Sequence, residues 1–101
     1  MIKVSEIENA LKEIESCEEI VRPYEHTGVG SSILKGLSQI RDLLKEPSKE
    51  KVEQCLAMIK VGENALMPHS HMSAVQDLLK HLSNLSEYLK NIRESLEQQE
   101  S

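Results

Sequence analysis

Apolar residues recur at alternating steps of three and four through the last third of the chain: Val75, Leu78, Leu82, Leu85, Leu89, Ile92 and Leu96. On a helix this spacing lines up all seven side chains in one seam, the pattern of coiled-coil and helix-bundle packing. The helix it predicts begins near Ser70 to Ser73 and runs to about Gln98, with a polar tail, Glu97 to Ser101, that frays.

Three more helices follow upstream from the same reading. Ile7, Leu11, Ile14, Cys17 or Glu18, and Val21 mark a helix from about Glu6 to Arg22, with Val4 extending the seam. Ser5 and Glu8 have the spacing of a capping box, and Pro23 stops the helix by disfavouring helical backbone before it. Residues 23–30 read as a loop, weakened for helix by two glycines. Ser31 or Ser32 then caps a second helix to about Lys45, striped by Ile33, Leu37, Ile40 and Leu44 and flanked by Leu34 and Leu43. Glu46-Pro47-Ser48 is a tight break, with Ser48 as N-cap of a third helix from Lys49 to Leu66. Its seam is Val52, Cys55, Ile59, Gly62 and Leu66, widened by Leu56; Gly62 there points to close approach of a neighbouring helix or to a weak point. Met67-Pro68-His69 ends it. No tandem repeat or low-complexity segment is visible.

Short connections make sequential helices antiparallel, so the expected architecture is all-α: one domain over residues 1–101, an up-down-up-down four-helix bundle with coiled-coil-like packing. The last helix is the longest. Its distal part, Leu89, Ile92 and Leu96, is expected to overhang the bundle as an apolar seam in need of a partner, either a second copy in a homodimer or another protein.

Composition sharpens this. Among 101 residues, 39% are hydrophobic and 2% aromatic, Tyr24 and Tyr88, so the core is aliphatic. Net charge is −5, and Glu6, Glu8, Glu13, Glu15, Glu18 and Glu19 face only Lys3 and Lys12 in the first twenty residues. No Lys/Arg cluster exists to hold phosphates, which argues against nucleic acid. The acidic run reads as a solvated face or as a docking surface for a basic partner. Apolar runs are too short for a bilayer, and the start, Met1 to Val4, lacks the apolar core of a signal peptide, so a cytoplasmic location is expected. Cys17 and Cys55 have no CxxC partner and read as buried thiols.

Antiparallel packing brings the loops after the first and third helices to one pole. They carry Tyr24, Glu25, His26, Thr27, His69 and His71. His26, His69 and His71 are therefore the candidate ligands for zinc or a similar divalent metal, since imidazoles with a carboxylate suit such ions. Two helix N-termini at the same pole also favour an anion, with Gly28-Val29-Gly30-Ser31-Ser32 opening one of them. His26 followed by Gly30, Ser31, Ser32 and Gly36 resembles part of the pattern around the phosphorylated histidine of histidine phosphotransfer domains, which are four-helix bundles of similar size. The resemblance covers about eleven residues and implies phosphotransfer at His26; it departs at Val29, where the family places a lysine that helps hold the phosphoryl group.

Other enzyme signatures are missing: no HExxH, no Glu-x-x-His pair, and no Ser/His/Asp set at motif spacing. His81 reads as a residue flanking the last seam, and Met58, Met67 and Met72 as gap fillers. The expected function is a small protein–protein interaction module, such as an adaptor, secretion chaperone, immunity-type inhibitor or regulator, without catalysis or a cofactor. The alternative is a phosphotransfer-like or metal-binding bundle that uses the pole histidines.

Overall fold

Short, proline-bearing connections fold four amphipathic helices back on one another. The computed structural model describes residues 4–100, with side chains through 98. Helices α1 (Val4–Val21), α2 (Gly28–Leu43), α3 (Lys49–Leu66) and α4 (Ser73–Glu100) form an antiparallel bundle measuring 43 × 20 × 20 Å. α4 is 28 residues long and runs its whole length, as a rise of about 1.5 Å per residue requires. α4 packs chiefly against α1 and then α3, while α2 completes the ring between them with lighter contacts. Residues 1–3, on which the reading of the chain start rests, and Ser101 of the polar tail lie outside the described residues.

The core is aliphatic. Ala10, Ile14 and Cys17 of α1, Leu37 and Ile40 of α2, Val52, Cys55 and Ile59 of α3, and the whole α4 seam from Val75 to Leu96 are buried. Among the described residues no charged or polar side chain is buried, and no buried polar atom lacks a partner. The bundle is therefore held by aliphatic burial, worth about 1.5–3 kcal/mol for each fully covered side chain.

Several local expectations change. α1 is already helical at Val4, so Ser5 lies inside the helix rather than capping it. Pro23 does not stop the chain abruptly: α1 ends at Val21 and Arg22–Tyr24 continue as one 3₁₀ turn, where the proline's missing N–H is harmless. α2 begins at Gly28 instead of after Ser31, because Thr27 takes the cap: its extended backbone aims Oγ1 at the Gly30 amide, 3.0 Å away. The Thr27 hydroxyl also donates to the Tyr24 carbonyl at 2.7 Å. These two hydrogen bonds crowd the turn onto Gly30, where a Cβ would collide with the Tyr24 carbonyl. Ser48 caps α3 as expected, accepting from the Lys51 amide at 3.2 Å.

The end of α4 does not overhang. Leu89 and Ile92 are fully buried and Leu96 is 8% exposed. α1 starts early enough, and α3 far enough down, to cover them: Asn91 approaches Glu6, and Lys49 pairs with Glu97 at 3.7 Å. The apolar seam on which partner contact by Leu89, Ile92 and Leu96 was argued belongs to the core. Gly62 does not mark close helix approach either, since a Cβ added there meets nothing within 4 Å.

The structure also exposes a repeat that was not visible along the chain. Every element of the first half recurs 45 residues later: α1 at 4–21 and α3 at 49–66, the 3₁₀ turns at 22–24 and 67–69, and the helix starts at 28 and 73. The turn hydrogen bonds recur too. Glu25 N to Arg22 O and Thr27 N to Tyr24 O match Ser70 N to Met67 O and Met72 N to His69 O. Identical residues then fall into register, among them Ile14/Ile59, Glu18/Glu63, Pro23/Pro68, His26/His71, Lys35/Lys80, Leu37/Leu82 and Leu44/Leu89. The fold is a helical hairpin used twice. The copies differ where Pro47 ends the first and Ile92 continues the second, which is why α4 outruns α2.

Candidate functional site

Both proline turns lie at one pole, as the antiparallel reading requires, and an apolar pocket of about 250 Å³ sits between them. Tyr24, Val29, His69 and Met72 form its rim over a floor of Val21, Leu66, Val75 and Leu78. His26, His69 and His71 are all exposed. Only His69 reaches the pocket. Among the described residues no three His, Cys, Asp or Glu side chains gather closely enough to hold a metal ion, so the three histidines share a pole but not a ligand set. His26 stands in the turn before α2, not on a helix.

The fourth histidine has a partner. His81 Nδ1 lies 2.6 Å from Glu13 Oε2, tying α4 to α1, with Asn84 Nδ2 at 3.5 Å from the other carboxylate oxygen. Glu18, also on α1, holds Arg41 of α2 through two hydrogen bonds, Nη1 to Oε2 at 3.0 Å and Nη2 to Oε1. This fork-on-fork geometry raises the guanidinium pKa further above its ordinary value. Two of the α1 acids are thus inter-helix clasps rather than only a solvated face.

The thiols are inert. Cys17 and Cys55 are fully buried and unpaired with one another. Burial pushes Cys17 up to about 12, with the nearby Glu13 and Glu18 charges adding to the effect, and burial pushes Cys55 up to about 11. A thiol so far above neutral pH supplies almost no thiolate, the nucleophilic and metal-binding form.

A larger concavity than the pole pocket lies along the α2–α3 contact. It is a cleft of about 720 Å³ lined from α2 by Val29, Ser32, Gly36 and Ile40, and from α3 by Ala57, Met58, Val61, Gly62 and Ala65, with Leu82 of α4 at its base. Ser32 and Gln54 supply the only polar side chains, and no charged residue lines it. Val29, Ile33 and Leu66 line this cleft and the pole pocket alike, so one apolar surface runs over both. Among the described residues, the exposed large hydrophobics Tyr24, Val29, Val61 and Met72 all stand on that surface, leaving only Val4 and Met67 elsewhere.

Small residues make the cleft. Gly36 and Gly62 face open space, with nothing within 4 Å of an added Cβ. Their counterparts in the repeat are His81 and Cys17, and Ala65 corresponds to Ile20. Where α1 meets α4 these positions carry side chains; where α2 meets α3 the equivalent volume is empty. Sequence reasoning missed this surface, although a glycine inside each of two helices was its trace.

Comparison with family models, with curated proteins and with solved structures finds no match.

Proposed function

We infer that the chain is a small protein–protein interaction module, without catalytic chemistry of its own, whose contact surface is the apolar α2–α3 cleft continued by the pole pocket. The observation that carries this reading is the pair of helix-interior glycines. Each costs about 0.8–1.0 kcal/mol relative to alanine. Neither Gly36 nor Gly62 is required by the fold, since each has room for a side chain. What they do is keep an uncharged trough open, of a size and lining that suit an apolar helix face. Among the described residues no helix is long and apolar enough to cross a membrane. With Cys17 and Cys55 free rather than paired in a disulfide, a cytoplasmic location suits the reading.

Filling the cleft tests it. Gly36→Leu with Gly62→Leu should raise the melting temperature yet abolish binding of a synthetic three-turn helix presenting a neutral leucine and alanine face. Tyr24 on the pocket rim gives an intrinsic fluorescence readout, because the chain has no tryptophan. Equal peptide binding by the filled and wild-type proteins would overturn the reading.

A further inference from the structure

The interaction-module reading leaves the occupant of the cleft open, and charge, shape and size select one. α1 carries its acids almost unopposed, so a basic partner would be drawn to that helix and away from the cleft. α2 and α3 are balanced instead: with Arg41 held by Glu18 of α1, Lys35, Lys49, Lys51 and Lys60 offset Asp42, Glu50, Glu53 and Glu63. Two chains of net charge −5 repel, and the α2–α3 face is where they meet with least repulsion.

The shape of that face is self-complementary. It holds hollows at Gly36 and Gly62 and, beside them, projections at Val29 and Val61, the latter 69% exposed. An isologous interface needs both on one patch, because each copy contributes the same surface. Size agrees as well. A long side of a 43 × 20 × 20 Å body offers the roughly 800 Å² per partner that specific interfaces bury.

We propose that the α2–α3 face is closed by a second copy of this chain, in a two-fold dimer where the exposed valines of each copy enter the glycine-lined cleft of the other. This rests on the interaction-module reading of the same surface. It places self-association away from Leu89, Ile92 and Leu96, which are buried within the single chain.

The test is sedimentation equilibrium of the full chain from micromolar to millimolar concentration, with two variants. Wild type should report twice the 11.4 kDa chain mass. Val61→Glu places a charge in the interface from a position exposed in the single chain; it should keep native helicity and weaken dimerisation on the order of a hundredfold. Val4→Glu, at an equally exposed valine on α1, should dimerise as wild type does. Wild type at 11.4 kDa throughout, or equal dimerisation of both variants, overturns the proposal. A monomeric wild type that binds the neutral helical peptide, and loses it on Val61→Glu, overturns the second copy while keeping the module reading. A monomer that binds no peptide overturns both.

Discussion

Where α1 meets α4, Cys17 and Ile20 fill the contact from one side, and His81 crosses to Glu13 from the other. At the corresponding places between α3 and α2, the chain has Gly62, Ala65 and Gly36, and the space stays empty. The two contacts are built from the same hairpin register, so topology does not explain the difference. Side-chain volume does. A duplicated unit lets one interface carry the stability while its twin is hollowed, and a cleft opened on the weaker side leaves the α1–α4 core untouched. The clasps follow this division: α1 is tied to α2 by Glu18–Arg41 and to α4 by Glu13–His81, whereas Glu63 and Ser86, the counterparts of Glu18 and Arg41, form no such pair.

The comparison is broken most severely in the α4 seam. Leu85 is fully buried, and Leu85→Asp should abolish cooperative unfolding, since the charge has no partner in an aliphatic core. Retention of native circular dichroism and melting by that variant would show that the seam is not the core. Truncation separates the two sides. Leu85→Ala should cost about 3–5 kcal/mol in urea unfolding, whereas its counterpart Ile40→Ala, beside an existing cleft, should cost about 2 kcal/mol.

Alkaline pH sharpens the comparison next, because Cys17 belongs to the closed side. Its native pKa is about 12, against an ordinary value of 9.0. Above pH 9 the unfolded chain sheds this proton while the folded chain keeps it, so the stabilisation present at and below pH 9 is lost as pH rises toward 12. By pH 10.5 the loss from this thiol should be about 2 kcal/mol, with Cys55, raised to about 11, adding a similar amount, so Cys17→Ala should remove about half of the total. Reagents for free thiols should label both cysteines only at the rate of unfolding. Fast labelling of the native protein at neutral pH would show the burial to be wrong.

The element pattern was legible because the core is purely aliphatic: an unbroken alternation of three and four gives helix, face and antiparallel order together, and α3 matches its expected limits at Lys49 and Leu66. Thr27 was passed over because Ser31 and Ser32 offered the same chemistry nearer the first stripe residue, although the turn after Pro23 delivers Thr27 first. The pole was legible as topology, but side-chain direction was not, so His26, His69 and His71 read as a cluster. The repeat stayed hidden because its identities, such as Lys35/Lys80, are scattered and the second copy runs past the first. The cleft was least legible of all. It consists of missing volume, shared between Gly36 and Gly62 on separate helices, and no single segment reports it.

The clasps give a smaller effect. A double-mutant cycle on Glu13 and His81 should show coupling of about 1 kcal/mol, as for a hydrogen bond near the surface. Glu18–Arg41, with the arginine side chain 35% exposed, should give about 0.5–1 kcal/mol and weaken with added salt. Arg41→Lys should lose most of that coupling, because an ammonium cannot reproduce the two-pronged contact. Coupling near zero for both pairs would leave the closed side distinguished by packing alone.

The glycines discriminate the two sides at the smallest energy. Gly36→Ala and Gly62→Ala add a methyl group to a helix interior with open space above it, so each should stabilise the protein by about 0.5–1 kcal/mol. Gly30 looks similar in sequence and should behave oppositely. Its position beneath the Tyr24 carbonyl leaves no room, and Gly30→Ala should destabilise by about 1–3 kcal/mol by forcing the turn off the Thr27 cap. Thermal melts of the three variants decide the matter, and the sign of each shift matters more than its size. If Gly36→Ala and Gly62→Ala were destabilising, the fold itself would need those glycines and the cleft would be a by-product of packing. If they stabilise while loosening dimerisation or peptide capture, the chain is holding open a surface that its own stability opposes. That opposition is what separates a binding cleft from an imperfectly filled core.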